Sequence, residues 1–208
     1  MEITPRDVLV VTDVQNDFCP GGSLPVPQGD AVIPLIHRIA TRFQHIVLTQ
    51  DWHPAGHVSF ASAHPGTKPN DVVVTPGGQQ RLWPDHCIQG THGAELHPAL
   101  HLPQAELILR KGYRPERDAY SIFFENDHVT PSGFAAYCRE RGVERLFFAG
   151  LAYDFCVGFS ALDARRCGFA AAVIRDACRA IDVNGSVAAT EAAFARNNIA
   201  IIETPSLA

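Results

Sequence analysis

The chain has 208 residues, 46% hydrophobic and 19% charged, with a formal net charge of −5 and a pI near 6.0. That length suits one domain over residues 1–208 with a sizeable core, and the lack of a basic run argues against nucleic acid or an anionic membrane surface as partner. No stretch approaches the roughly 20 apolar residues of a membrane span, and Met1–Pro5 lacks a signal peptide's layout, so the expected location is the cytoplasm and the expected ligand a small molecule.

Asp7-Val8-Leu9-Val10-Val11-Thr12 is a continuous apolar run and predicts a buried central strand. Asp13 follows it, at the edge where α/β sheets gather functional groups, although an aspartate there is more often a turn residue. Residues 29–43 carry apolar side chains at helical spacing. His45 to Thr49 predicts the second strand, which delivers Asp51 and His53 two apart, so that both side chains point the same way in extended backbone. A carboxylate and an imidazole so presented suit a metal ion, but two ligands do not make a site.

A third ligand is available in a loop-rich excursion around residues 54–90, where His86 stands in Leu82-Trp83-Pro84-Asp85-His86-Cys87 with His57, His64 and His92 as competitors. Trp83 predicts a flat apolar cover there. Residues 106–110 predict a third strand, followed by Lys111, and Asp118 to Phe124 form an aromatic loop. Residues 131–141 predict a helix, and Arg145 to Gly150 predict another buried strand.

The stretch G-L-A-Y-D-F-C-V-G-F-S at 150–160 predicts a strand running into a helix through a tight turn. Cys156 would then lie in the first helical turn, where free N–H groups and the helix dipole favour a thiolate; the plain alternative is a buried structural thiol. Strands at 170–175 and 199–202 flank a helix at about 185–196. Alternating strands and helices predict a doubly wound, mainly parallel α/β sheet of about six strands with helices on both faces. The six cysteines include no C-x-x-C pair and predict free thiols.

Taken together, D-V-Q-N-D-F at 13–18, T-Q-D-W-H-P at 49–54, W-P-x-H-C at 83–87, R-K-G at 110–112 and G-L-A-Y-D-F-C-V at 150–157 closely resemble the nicotinamidases of the isochorismatase-like cysteine hydrolases. The resemblance covers nearly the whole chain, with one departure: many relatives carry Thr in place of Tyr153. It implies a catalytic triad of Asp13, Lys111 and Cys156. It also implies a divalent metal, zinc first with iron or manganese as alternatives, on Asp51, His53 and His86. A cis peptide at Leu151–Ala152 is implied as well, with an oxyanion hole from the N–H groups of Ala152 and Cys156.

Nicotinamide, and pyrazinamide beside it, would be hydrolysed through a thioester, with Phe18, Trp83 and Tyr120 around the ring. Lys111 would favour the thiolate. The acid product would re-enter NAD synthesis. Rival readings are an amidase of the same superfamily acting on another small amide or carbamoyl compound, a non-catalytic binding module and a thiol redox sensor. The oligomeric state stays open, a homo-oligomer among the alternatives, as does membership of His57 in the metal shell.

Overall fold

In the computed structural model, which describes residues 1–75 and 77–207, β1 (Asp7–Thr12) lies at the middle of a sheet. The other strands are β2 (His45–Asp51), β3 (Val72–Thr75), β4 (Gly78–Arg81), β5 (Leu107–Lys111), β6 (Arg145–Gly150), β7 (Ala170–Cys178) and β8 (Ala200–Ile202). The helices are α1 (Ile33–Ala40), α2 (Phe134–Glu140), α3 (Gly158–Arg166) and α4 (Ser186–Arg196).

Six strands form one parallel sheet in the order β5-β2-β1-β6-β7-β8. Each residue of β1 is buried, as a strand covered on both faces requires. Its alternate side chains enter two cores. Leu9 and Val11 pack with Ile33, Ile36 and Ile39 of α1, while Val8 and Val10 face Phe134 of α2, Ala161 and Ala164 of α3 and Phe194 of α4. Helices therefore cover both faces, one against three.

The chain passes from β1 to β2 on one side and returns to β6 on the other, so the carboxyl ends of β2, β1 and β6 open around a switch point in the sheet order. Two elements differ from expectation. β7 continues past Arg175 to Cys178, re-pairing with Gly150 after an irregularity in the ladder. The 54–90 excursion contains an antiparallel hairpin, β3–β4, in which buried Gln80 donates to the Asp118 carboxylate at 2.9 Å and ties the hairpin to the aromatic loop. No helix among the described residues is long and apolar enough to cross a membrane.

Candidate active site

β1 ends where Asp13 takes a left-handed backbone (φ 48°), which turns its side chain into the protein below the strand ends. The Asp13 N–H donates to Thr49 Oγ1 at 3.1 Å, and the same hydroxyl donates to Asp13 Oδ1. Oδ2 faces Lys111 Nζ at 2.9 Å. Lys111 is the last residue of β5 and is fully buried, and its ammonium also contacts Asp51 Oδ1, the Ala119 carbonyl at 3.1 Å and Cys156 Sγ at 3.2 Å. The three residues expected as a triad thus meet around one ammonium group.

After β6, the Leu151–Ala152 peptide is cis, as the resemblance implied. Tyr153–Val157 then form a π turn, closed by the Val157 N–H donating to Ala152 O at 3.1 Å, and α3 begins at Gly158. Cys156 therefore sits in a widened turn ahead of α3, and not in an ordinary first α-turn. The Ala152 N–H has no hydrogen-bond partner among the described residues. Tyr153 is accommodated without disturbing the turn: its ring meets Phe194 edge-on, with the Arg175 guanidinium on it.

The electrostatics around Cys156 pull in both directions. Burial pushes the Cys156 thiol well above its ordinary value; Lys111 opposes this, but Asp13 and Asp51 add to it. The one ammonium is shared between the thiol and two carboxylates. Burial likewise raises Asp13, outweighing Lys111 and Thr49, whereas Asp51 ends well below its ordinary value because Lys111 and the histidines overcome burial. Burial works against the Lys111 charge, but the carboxylates on either side hold it charged. Asp13 is the carboxylate poised to gain a proton.

Asp51 Oδ2 lies 3.6 Å from His53 Nε2 and 3.7 Å from His86 Nε2. The opposite ring nitrogens are engaged: His53 Nδ1 donates to Gly112 O and His86 Nδ1 to Pro84 O, both at 2.8 Å. These bonds orient both Nε2 atoms toward the carboxylate, the arrangement metal-ligating imidazoles require. Gly112 has a left-handed backbone, and a Cβ there would collide with the His53 ring.

The three ligand atoms lie close enough together to share one ion. Burial pulls His53 down, yet Asp51 outweighs it and the imidazole is raised, so the cluster draws positive charge to itself. The donor set fits a divalent ion. His57 does not join it, since Nε2 donates to the carbonyls of Arg114 and Arg117 at 3.0 Å and Nδ1 pairs with Ser59 Oγ at 2.7 Å. Its ring stacks under His53 at 4.2 Å.

Between the two centres lies a slot bordered by Asp51, His86, Ala152 and Cys156. Its walls are Phe18, Trp83 and Tyr120, the flat side chains expected from sequence, and Leu24, Phe155 and Ile181, which were not. Phe155 follows the strand-to-helix turn one position before Cys156 and could have been read from it. Leu24 and Ile181 come from loops with no periodic signal. Trp83 Nε1 donates to Tyr120 Oη at 3.0 Å, so both rings are fixed.

The isochorismatase domain model matches residues 7–204. The chain belongs to the isochorismatase family. Within it, a nicotinamidase of Acinetobacter baylyi is 53% identical over 179 residues, covering 86% of this chain and 84% of the relative. A solved Acinetobacter baumanii nicotinamidase/pyrazinamidase superposes with a TM-score of 0.96 at 47% identity, covering 98% of both chains. A pyrazinamidase of Pyrococcus horikoshii, solved in complex with zinc, gives a TM-score of 0.77 at 35% identity, covering 96% of this chain and 99% of that one.

Proposed function

We propose that this isochorismatase-family chain hydrolyses nicotinamide to nicotinate and ammonia, and pyrazinamide likewise, with Cys156 as nucleophile, Asp13 as proton carrier and Lys111 as the fixed cation between them. The observation that carries the reading is the meeting of Cys156 Sγ, Lys111 Nζ and Asp13 Oδ2 at one end of a narrow aromatic slot. A planar heteroaromatic ring would lie between Phe18, Trp83 and Tyr120, with its amide against Cys156. The names carried by the relatives support the substrate.

As sulfur attacks the amide carbon, the thiol proton passes to Asp13 and the carbonyl oxygen, now negative, is received by the N–H groups of Ala152 and Cys156. The C–N bond breaks as Asp13 protonates the departing nitrogen, leaving a thioester and free ammonia. Water then gives a proton to Asp13 and its oxygen to the carbonyl carbon. The C–S bond breaks, sulfur regains the proton, and the acid leaves. The raised Asp13 suits this cycle, in which its carboxylate takes up one proton and gives it back in each half.

Asp51, His53 and His86 would hold one divalent ion, zinc first, with iron or manganese as alternatives; when bound it supplies a Lewis-acid anchor for the ring nitrogen of the substrate. Ammonia release from nicotinamide, pyrazinamide and a carbamoylated amine, with pyruvate release from isochorismate measured beside them, tests the reading. Turnover is expected with the first two, and no ammonia from nicotinamide overturns it.

A further inference from the structure

β2 outruns β1. The parallel ladder between them ends at Val11↔Leu48, whereas β2 continues to Asp51, which on its other side still pairs with Lys111 of β5. Beyond that point Asp51 has no ladder partner from β1. The fully buried Gln15 carboxamide takes that place: Nε2 donates to Asp51 O at 2.8 Å and to Ala94 O at 2.9 Å, and Oε1 accepts the Asp51 N–H at 2.8 Å. A side chain thus completes the ladder that aims the Asp51 carboxylate.

Two residues later the same segment reaches the opposite side of the cluster. Asp17 Oδ2 accepts the Cys87 N–H at 2.7 Å, and Oδ1 accepts the Ser23 N–H at 3.1 Å. Cys87 is next to His86 and has a left-handed backbone, and its carbonyl accepts the His53 N–H at 3.0 Å. The Asp17 carboxylate therefore holds the His86–Cys87 peptide by its N–H, while the carbonyl of the same Cys87 residue holds the His53 N–H. Gly93 packs so tightly on this carboxylate that a Cβ there would collide with it.

We infer that Gln15 and Asp17 are positioning residues for the metal-ligating set, holding Asp51, His53 and His86 through their backbone while Asp13, on the same segment, serves the cysteine. Asp13, Gln15 and Asp17 then divide one short stretch between two centres. This inference rests on Asp51, His53 and His86 being the metal ligands.

The test measures zinc affinity by competition with a chromophoric chelator, for the full-length parent and for Gln15→Glu, Gln15→Met, Asp17→Asn and Asp17→Ala. The rate of Cys156 alkylation and the unfolding midpoint of each metal-free protein are recorded alongside. Gln15→Glu keeps shape but turns an acceptor toward two carbonyls; Asp17→Asn keeps one acceptor for Cys87. Zinc affinity is expected to fall about 10–100-fold in Gln15→Met, Gln15→Glu and Asp17→Ala, with Asp17→Asn recovering part of it. Alkylation should stay within about twofold of the parent at an unchanged midpoint.

Affinity within threefold of the parent in every folded variant overturns the inference. So does a loss of affinity that only tracks a loss of the midpoint or of thiol reactivity. A parent that binds no zinc, or binds it equally well as Asp51→Ala, instead overturns the ligand assignment on which the inference stands. If a variant does not fold, its partner at the same position decides.

Discussion

The cysteine centre and the Asp51–His53–His86 cluster touch the same ammonium but are held by different means. Asp13 and Lys111 come straight off β1 and β5, and Cys156 lies one turn beyond β6, so parallel ladders set their spacing. His86 belongs to no ladder. It is located by hydrogen bonds made by its neighbours and by an isolated bridge between His53 and Ile88. One centre is registered by the sheet; in the other only Asp51 belongs to a ladder, and His53 and His86 are held by a single bridge and side-chain hydrogen bonds. Changes to the first should therefore strike chemistry, and changes to the second recognition, except at the residue they share.

Cys156→Ala gives the largest effect expected. It removes the nucleophile and little volume, so ammonia release should fall by at least about 1,000-fold while nicotinate still binds by calorimetry. Residual turnover within tenfold of the parent would remove the thioester from the mechanism.

Lys111→Met breaks the comparison at its shared point. Two buried carboxylates lose their common cation, so the metal-free protein should lose about 3–5 kcal/mol of unfolding free energy in urea, together with turnover. Lost turnover at full stability would assign Lys111 to the cysteine centre alone.

His86→Ala sharpens the distinction. Zinc affinity should fall at least about tenfold and the KM for nicotinamide should rise, with Cys156 alkylation unchanged in the metal-free protein. Parallel loss of thiol reactivity would mean the two centres are one.

The smallest effect lies outside both. Asp7 is buried at the start of β1; burial pushes its carboxyl up, but the Arg145 guanidinium, at 2.6 and 2.9 Å, and the Thr4 N–H hold it below 3.8. Its stabilising contribution is complete above the ordinary value and disappears as the pH falls through the lowered one. Acid unfolding of Asp7→Asn should consequently be shallower below about pH 4 than that of the parent, with turnover at neutral pH unaffected.

The parts legible in the sequence were those with a period or a run. β1, β2 and β6 are apolar stretches that end in polar residues, and their ends hold Asp13, Asp51 and the turn to Cys156. The β3–β4 hairpin was not legible, because Gly78-Gln79-Gln80-Arg81 offers no apolar alternation and Gln80 is buried only by finding Asp118. The competition for Lys111 was not legible, because the dipole and lysine argument counts one cation for one anion, whereas Asp51 shares the same ammonium. Gln15 and Asp17 escaped notice because they act on the peptide groups of distant residues, a relation that no spacing encodes.

The aromatic slot also has an optical consequence. Of the two tryptophans in the chain, Trp83 forms part of the slot and is hydrogen-bonded to Tyr120, whereas Trp52 lies outside it beneath the Arg110 guanidinium, 3.6 Å from the ring centre. One indole is in an aromatic wall that an occupant of the slot would touch, and the other is not among the residues lining it. If the slot takes the ring as proposed, intrinsic fluorescence would contain a component from Trp83 that responds to occupancy beside one from Trp52, so that filling of the slot could be followed without a dye, a label or turnover.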